Sequence, residues 1–162
     1  AALDNYVDPE NIGENEYTQT VETGEGQFTV AVKVVALEGG LYRYNYAIEN
    51  YEFDPRFISY HIPLSDSSLL IDTLFNDPDQ NAENDWQFNH SDGVLTVSGD
   101  ATNEQDWGMM FSFSFTTDVP PVLNNITINA AHVDELIDPN NQTVEAMSLV
   151  PVLDIIFNSS FE

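Results

Sequence analysis

The feature that most constrains this chain is a strict alternation of large apolar and polar side chains, delivered in short runs. Within Leu41–Asn50, Tyr42, Tyr44, Tyr46 and Ile48 fall on one side, and Arg43, Asn45, Ala47 and Glu49 on the other. A period of two is that of a β-strand with one buried face. Gln27–Leu37 repeats the pattern with Phe28, Val30, Val32, Val34 and Ala36, and Glu38-Gly39-Gly40 between the two runs predicts a hairpin. Trp107–Thr116 carries it again, with Phe111, Phe113 and Phe115 inward and Ser112 and Ser114 outward. The longest helix candidate, His132–Ile137, amounts to about one and a half turns.

Further short apolar runs complete the set: Tyr17–Val21, Phe57–Leu64, Leu69–Phe75, Trp86–Phe88, Val94–Ser98, Val122–Ala130 and Val144–Leu153. Asp54-Pro55, Ser65–Ser68, His90–Gly93, Pro120-Pro121 and Asp138–Asn141 separate them with turn chemistry. The expected class is all-β, an antiparallel β-sandwich of immunoglobulin-like or jelly-roll-like form with seven to nine strands. The chain has 162 residues, enough for one domain with a buried core. The expected division is an acidic N-terminal arm over 1–26, the sandwich over 27–153, and a C-terminal tail over 154–162.

Charge limits the partners. Lys33, Arg43 and Arg56 face 28 Asp and Glu, a formal net charge of -25. Phosphate backbones and anionic membrane surfaces need clustered Lys and Arg, so nucleic acid and membrane docking are excluded as partners. No run approaches the apolar length of a membrane-crossing helix, so no membrane insertion is expected. Cysteine is absent, which removes disulfides, thiol catalysis and thiolate zinc sites. Self-repulsion at this charge costs stability, and salt or divalent cations relieve it. A secreted protein, extracellular or at the cell surface, fits that balance. A start at Ala1-Ala2-Leu3-Asp4 rather than Met matches the expectation of a mature protein whose leader has been removed.

The densest set of oxygen donors is Asp77, Asp79, Asn81, Glu83 and Asp85, at alternate positions of one loop. That spacing suits a hard cation such as calcium. It is not an EF-hand: Ala82 stands where that loop needs glycine, and Phe88 where it needs the bidentate Glu. A solvated acidic loop is the alternative. Asp134, Glu135 and Asp138 form a weaker second group. His61, His90 and His132 lack mutual ligand spacing. No G-x-S-x-G elbow and no phosphate-cradling glycine loop occur, and carboxylate pairs carry no specificity among so many acids, so no catalytic residue is assigned. Trp86 and Trp107 are candidates for a sugar-stacking platform on a sandwich face, the alternative being core positions. Asn89, Asn125, Asn141 and Asn158 each begin an N-x-[ST] sequon.

Two stretches resemble a known group. Leu-Tyr-Arg-Tyr-Asn-Tyr-Ala-Ile-Glu-Asn from Leu41, followed by Phe-Ile-Ser-Tyr-His-Ile-Pro-Leu to Leu64, is similar to a strand pair common in bacterial exported β-sandwich proteins. Asp154-Ile155-Ile156-Phe157-Asn158-Ser159-Ser160-Phe161-Glu162 resembles the D-x-I-F-x-x-G-F-E tail that ends many secreted proteins of Gram-negative bacteria, with Ser160 in the glycine position. The resemblance implies export and a sandwich, and no activity.

Two functions of different kinds follow as expectations. In the first, the protein is a non-enzymatic subunit of a pilus-like extracellular filament or surface assembly, a homopolymer joined by donor strands. The contacts would come from Tyr17 and Val21 in the N-terminal arm, or from Ile155, Ile156 and Phe157 in the tail. In the second, it is a monomeric secreted module binding calcium or a glycan, through the Asp77–Asp85 loop and the two tryptophans.

Overall fold

The computed structural model describes residues 2–153. Ten strands form two antiparallel sheets of five, so the fold is an all-β sandwich. In chain order the strands are β1 (Glu16–Thr23), β2 (Gly26–Leu37), β3 (Leu41–Asn50), β4 (Phe57–Pro63), β5 (Ile71–Asn76), β6 (Gln87–Ser91), β7 (Val94–Ser98), β8 (Met109–Thr117), β9 (Val122–Ala130) and β10 (Thr143–Val150). Sheet A runs β1-β2-β3-β8-β5 and sheet B runs β10-β9-β4-β7-β6. The count exceeds the expected seven to nine because even the short segments at the sheet edge pair: Glu16–Thr23 with β2, and Ile71–Asn76 with β8. The strand expected from Trp107 begins only at Met109, and the helix candidate shrinks to a 3-10 turn over Val133–Glu135. Among the described residues, no helix is long and apolar enough to cross a membrane.

The alternation seen in the sequence is the packing of sheet A. Leu37 pairs with Leu41 around Gly39 and Gly40, both at positive φ (79° and 75°), a conformation that costs glycine little. The β2–β3 register sets Val32 beside Tyr46, and the β3–β8 register sets Tyr44 beside Phe115 and Tyr46 beside Phe113. These cross-strand aromatic pairs stack with centroids 5.2 and 4.9 Å apart, each worth about 0.5–1.5 kcal/mol beyond simple burial. Tyr60 of β4 meets Phe113 from the opposite sheet at 5.5 Å.

The buried phenols stay neutral because burial raises their pKa, so each donates its proton to a fixed acceptor. Tyr44 donates to the Val119 carbonyl and Tyr46 to the Leu149 carbonyl, tying sheet A to the β8–β9 connection and to β10 of sheet B. On one side the two sheets meet where the backbone N–H of Met147 in β10 donates to Gln19 Oε1 of β1. On the other side the loop from Asp77 to Trp86 crosses from β5 to β6.

The N-terminal segment corrects an expectation. Residues 2–23 are not an arm outside the sandwich. A 3-10 turn over Ala2–Asn5 lies on the outer face of sheet A, where Leu3 and Val7 are buried against Ala31 and Ala47. Two outward-facing alanines on adjacent central strands leave a depression, and Leu3 and Val7 fill it. Tyr6 packs beside them under the Lys33 ammonium, 4.7 Å from the ring centroid. Tyr17 and Val21, expected as donated contacts, belong to β1, pair with Val32 and Phe28 of the same chain, and pack on its core. Ile155, Ile156 and Phe157 lie outside the described residues.

Candidate functional site

The two tryptophans do not form one platform. Trp86 is 2% exposed and plugs the sandwich at its β5–β6 side. Its ring lies nearly parallel to Phe75 at 5.7 Å, edge-on to Phe111 at 5.2 Å, and 4.7 Å from Tyr60. Its indole N–H donates to the Asn103 carbonyl at 2.7 Å. Every face is spent, so Trp86 is a core residue and not a ligand-binding one. Trp107 is 62% exposed.

The turn that carries Trp107 is held from several directions. Gln105 exchanges both backbone hydrogen bonds with Phe57 at the start of β4. Its buried side chain accepts from the Tyr60 hydroxyl and donates to the carbonyls of Ile48 and Met109. Asp106 Oδ1 accepts from the Trp107 backbone N–H at 2.8 Å and faces Arg56 Nε at 3.3 Å. Gly108, at φ +83°, donates to the Asn50 carbonyl at 2.6 Å. That last bond ties the turn to the end of β3, next in sequence to the exposed Tyr51. Glu104 accepts from His132 and pairs with Arg56, and this bond holds the His132 ring protonated to a higher pH than usual. The backbone of so constrained a turn needs no further ordering to present the exposed indole to solvent.

Strand β8 leads from that turn into a cleft of about 370 Å³ on the outer face of sheet A. Its floor is Asn45 and Ala47 of β3 with Ser112 and Ser114 of β8. Leu3 and Tyr6 form one wall, and Leu74 and Asn76 of β5 the other. Met110 lies toward the Trp107 end. Ser114 Oγ accepts from Arg43, whose guanidinium also donates to Thr116 and to the Asp72 carbonyl.

The acidic loop follows directly from this wall. Of the five expected cation ligands, Asp77, Asp79 and Asp85 bring carboxylate oxygens within 4.8 Å of one another, and Glu83 stays outside that group. Asn81 Oδ1 is taken by the backbone N–H of Glu83, and Glu83 faces solvent. Burial pushes the Asp77 carboxyl above its usual pKa, the bond from Asn103 lowers it, and the Asp79 and Asp85 carboxylates add to the rise. Asn84 donates to Asp79, while its own Oδ1 is buried without a partner. The arrangement could hold a hard cation through three carboxylates.

No protein-family model matches this chain, and no curated protein matches it significantly. Among solved structures it is similar to part of the GH20 exo-β-N-acetylglucosaminidase of Vibrio harveyi, solved in complex with N-acetylglucosamine. The identity is 9% and the TM-score 0.39, over 83% of this chain and 17% of that one. The chain thus spans about a sixth of that enzyme's length.

The remaining candidates are structural in their surroundings. His61 bonds Ser59 and Thr96, with burial lowering its pKa, and His90 bonds the carbonyls of Leu64 and Ser65. Asp138 caps its own turn, and with Ile137 and Asn141 it donates to the buried Glu25 carboxylate. Nothing in the residue pattern marks Asn103, Gln105, Tyr6 or Leu3 in advance. Only the outward Ala31 and Ala47 signalled that something covers sheet A.

Proposed function

We propose that this protein is a non-enzymatic extracellular module that binds glycans, with Trp107 as its stacking residue. The observation that carries the reading is an exposed indole on a hydrogen-bonded turn, three residues before Met110, which lines a cleft on the outer face of sheet A. A ring of this kind offers an apolar surface to the C–H face of a sugar, and its N–H remains free to donate. The acidic surface fits a salty exterior. The filament reading loses support, because its N-terminal donor Tyr17–Val21 is already paired within the chain.

The test is calorimetric titration of the protein with cellohexaose, xylohexaose, mannohexaose and maltohexaose. At least one should bind, and Trp107→Ala should abolish that binding while leaving the thermal melt unchanged. Loss-free binding by Trp107→Ala would overturn the reading.

Convergence of three carboxylates supports a second, compatible reading, a calcium ion at Asp77, Asp79 and Asp85. Calcium should then raise the melting temperature and Asp77→Asn should remove the rise. A melt indifferent to calcium in the parent protein would exclude it.

A further inference from the structure

We propose that the cleft on the outer face of sheet A is a second sugar position, reached from the Trp107 turn, and that it takes a ring of a neutral, unsubstituted glycan. The proposal rests on the glycan-binding reading above and extends it from one stacking residue to a site of defined chemistry.

The lining decides the ligand class. In a chain with 28 acidic residues, no charged side chain lines this cleft. A cation would find carboxylates elsewhere and none here. An anionic glycan would meet the field of a protein of charge -25, against which one cation outside the lining, Lys33, stands over the Tyr6 ring. Arg43 reaches only the Ser114 end, where its guanidinium is bonded to Ser114, Thr116 and the Asp72 carbonyl.

The polar groups that remain are short and neutral. Ser112 Oγ and the Asn76 amide make no hydrogen bond among the described residues, and Asn45 Oδ1 is likewise open while its amide donates to Lys33. They lie between apolar surfaces from Tyr6, Leu74 and Met110. Hydroxyl partners on the floor and C–H partners on the walls match a sugar ring, which has hydroxyls at its rim and apolar faces. At about 370 Å³ the cleft lies in the size range of small-ligand sites.

Position links it to the platform. Met110 follows Trp107 by three residues and lines the near end of the cleft. A glycan long enough to stack on Trp107 and continue along β8 would enter it. A disaccharide held on Trp107 would not need it.

The experiment compares chain lengths by calorimetry, using cellohexaose against cellobiose, the matching manno-, xylo- and malto-pairs, and hexagalacturonate as the acidic counterpart. The parent should bind one neutral hexaose at least about tenfold tighter than its disaccharide, since added contacts on a preformed surface carry little extra ordering cost. Ser112→Phe, which fills the cleft, and Asn76→Ala, at an exposed position, should each reduce that ratio toward one without weakening the disaccharide. Hexagalacturonate should not bind. A length advantage that survives both variants, or hexagalacturonate binding as tightly as the neutral hexaoses, would overturn the cleft proposal and leave the Trp107 reading standing. Failure of every neutral hexaose to bind the parent would overturn both.

Discussion

Replacing Gln105 by leucine tests how the sandwich holds the turn that presents Trp107. Gln105 is fully buried, and its side chain makes three hydrogen bonds: one accepted from Tyr60, and two donated, to Ile48 at 2.7 Å and Met109 at 3.1 Å. Leucine nearly conserves volume, so packing changes little and the loss is polar. Three bonds at about 1 kcal/mol net each amount to about 3 kcal/mol. For a chain of this length, that lowers the melting temperature by about 6–12 °C. Total stability of a typical domain is about 5–15 kcal/mol, so the variant should remain folded at room temperature. Tyr60→Phe removes one of the three bonds and should cost about 1 kcal/mol. The double variant should cost less than the sum of the singles, because both remove the same Tyr60–Gln105 bond. Thermal and urea unfolding followed by circular dichroism would measure each value. A Gln105→Leu melt within about 2 °C of the parent, below the shift expected for even one lost bond, would refute the reasoning.

Other consequences are as direct. A methyl group at Gly99 would run into the indole of Trp86, which Phe75, Tyr60 and Phe111 enclose, so Gly99→Ala should destabilise by about 1–3 kcal/mol in urea unfolding. His132 has its pKa raised chiefly by its bond to Glu104, so its stabilisation is full below the ordinary histidine pKa and fades as pH rises through the raised one. The melting-temperature gap between the parent and His132→Gln should therefore narrow from about pH 5.5 to about pH 8.5, and a constant gap would contradict the assignment. Leu3→Asp should release the N-terminal strap, because a carboxylate cannot stay buried on Ala31 and Ala47. Hydrogen exchange should then lose protection at Tyr6 and Val7, whose N–H groups bond the Leu3 carbonyl, with sheet A unchanged.

The sandwich was legible because its core is written with period two. Tyr44, Tyr46, Phe111, Phe113 and Phe115 were expected inward, and they are buried. Trp86 and Trp107 were not separable, since each stands at the edge of an apolar run and only the tertiary fold decides which one the sheets enclose. In the loop, Asp77, Asp79 and Asp85 converge while Asn81 caps the Ala82–Asn84 turn and Glu83 faces solvent, a local competition that alternation alone does not reveal. The cleft was invisible in the sequence. Its floor is the polar outer face of β3 and β8, which looks like any solvated strand face until Leu3 and Tyr6 rise beside it. Gln105 and Asn103 stand in a polar stretch that resembles a surface loop, and long-range partners bury them.

The most direct measurement uses the contrast between the two indoles. Trp86 is enclosed and Trp107 is open to solvent, so acrylamide quenching of tryptophan emission reports mainly Trp107. Adding the neutral hexaose that binds best should shield this residue and lower the quenching constant, and Trp107→Phe should remove both the accessible emission and the shielding. Quenching that stays the same with every hexaose at saturating concentration would contradict the claim that this exposed indole is where the glycan lies.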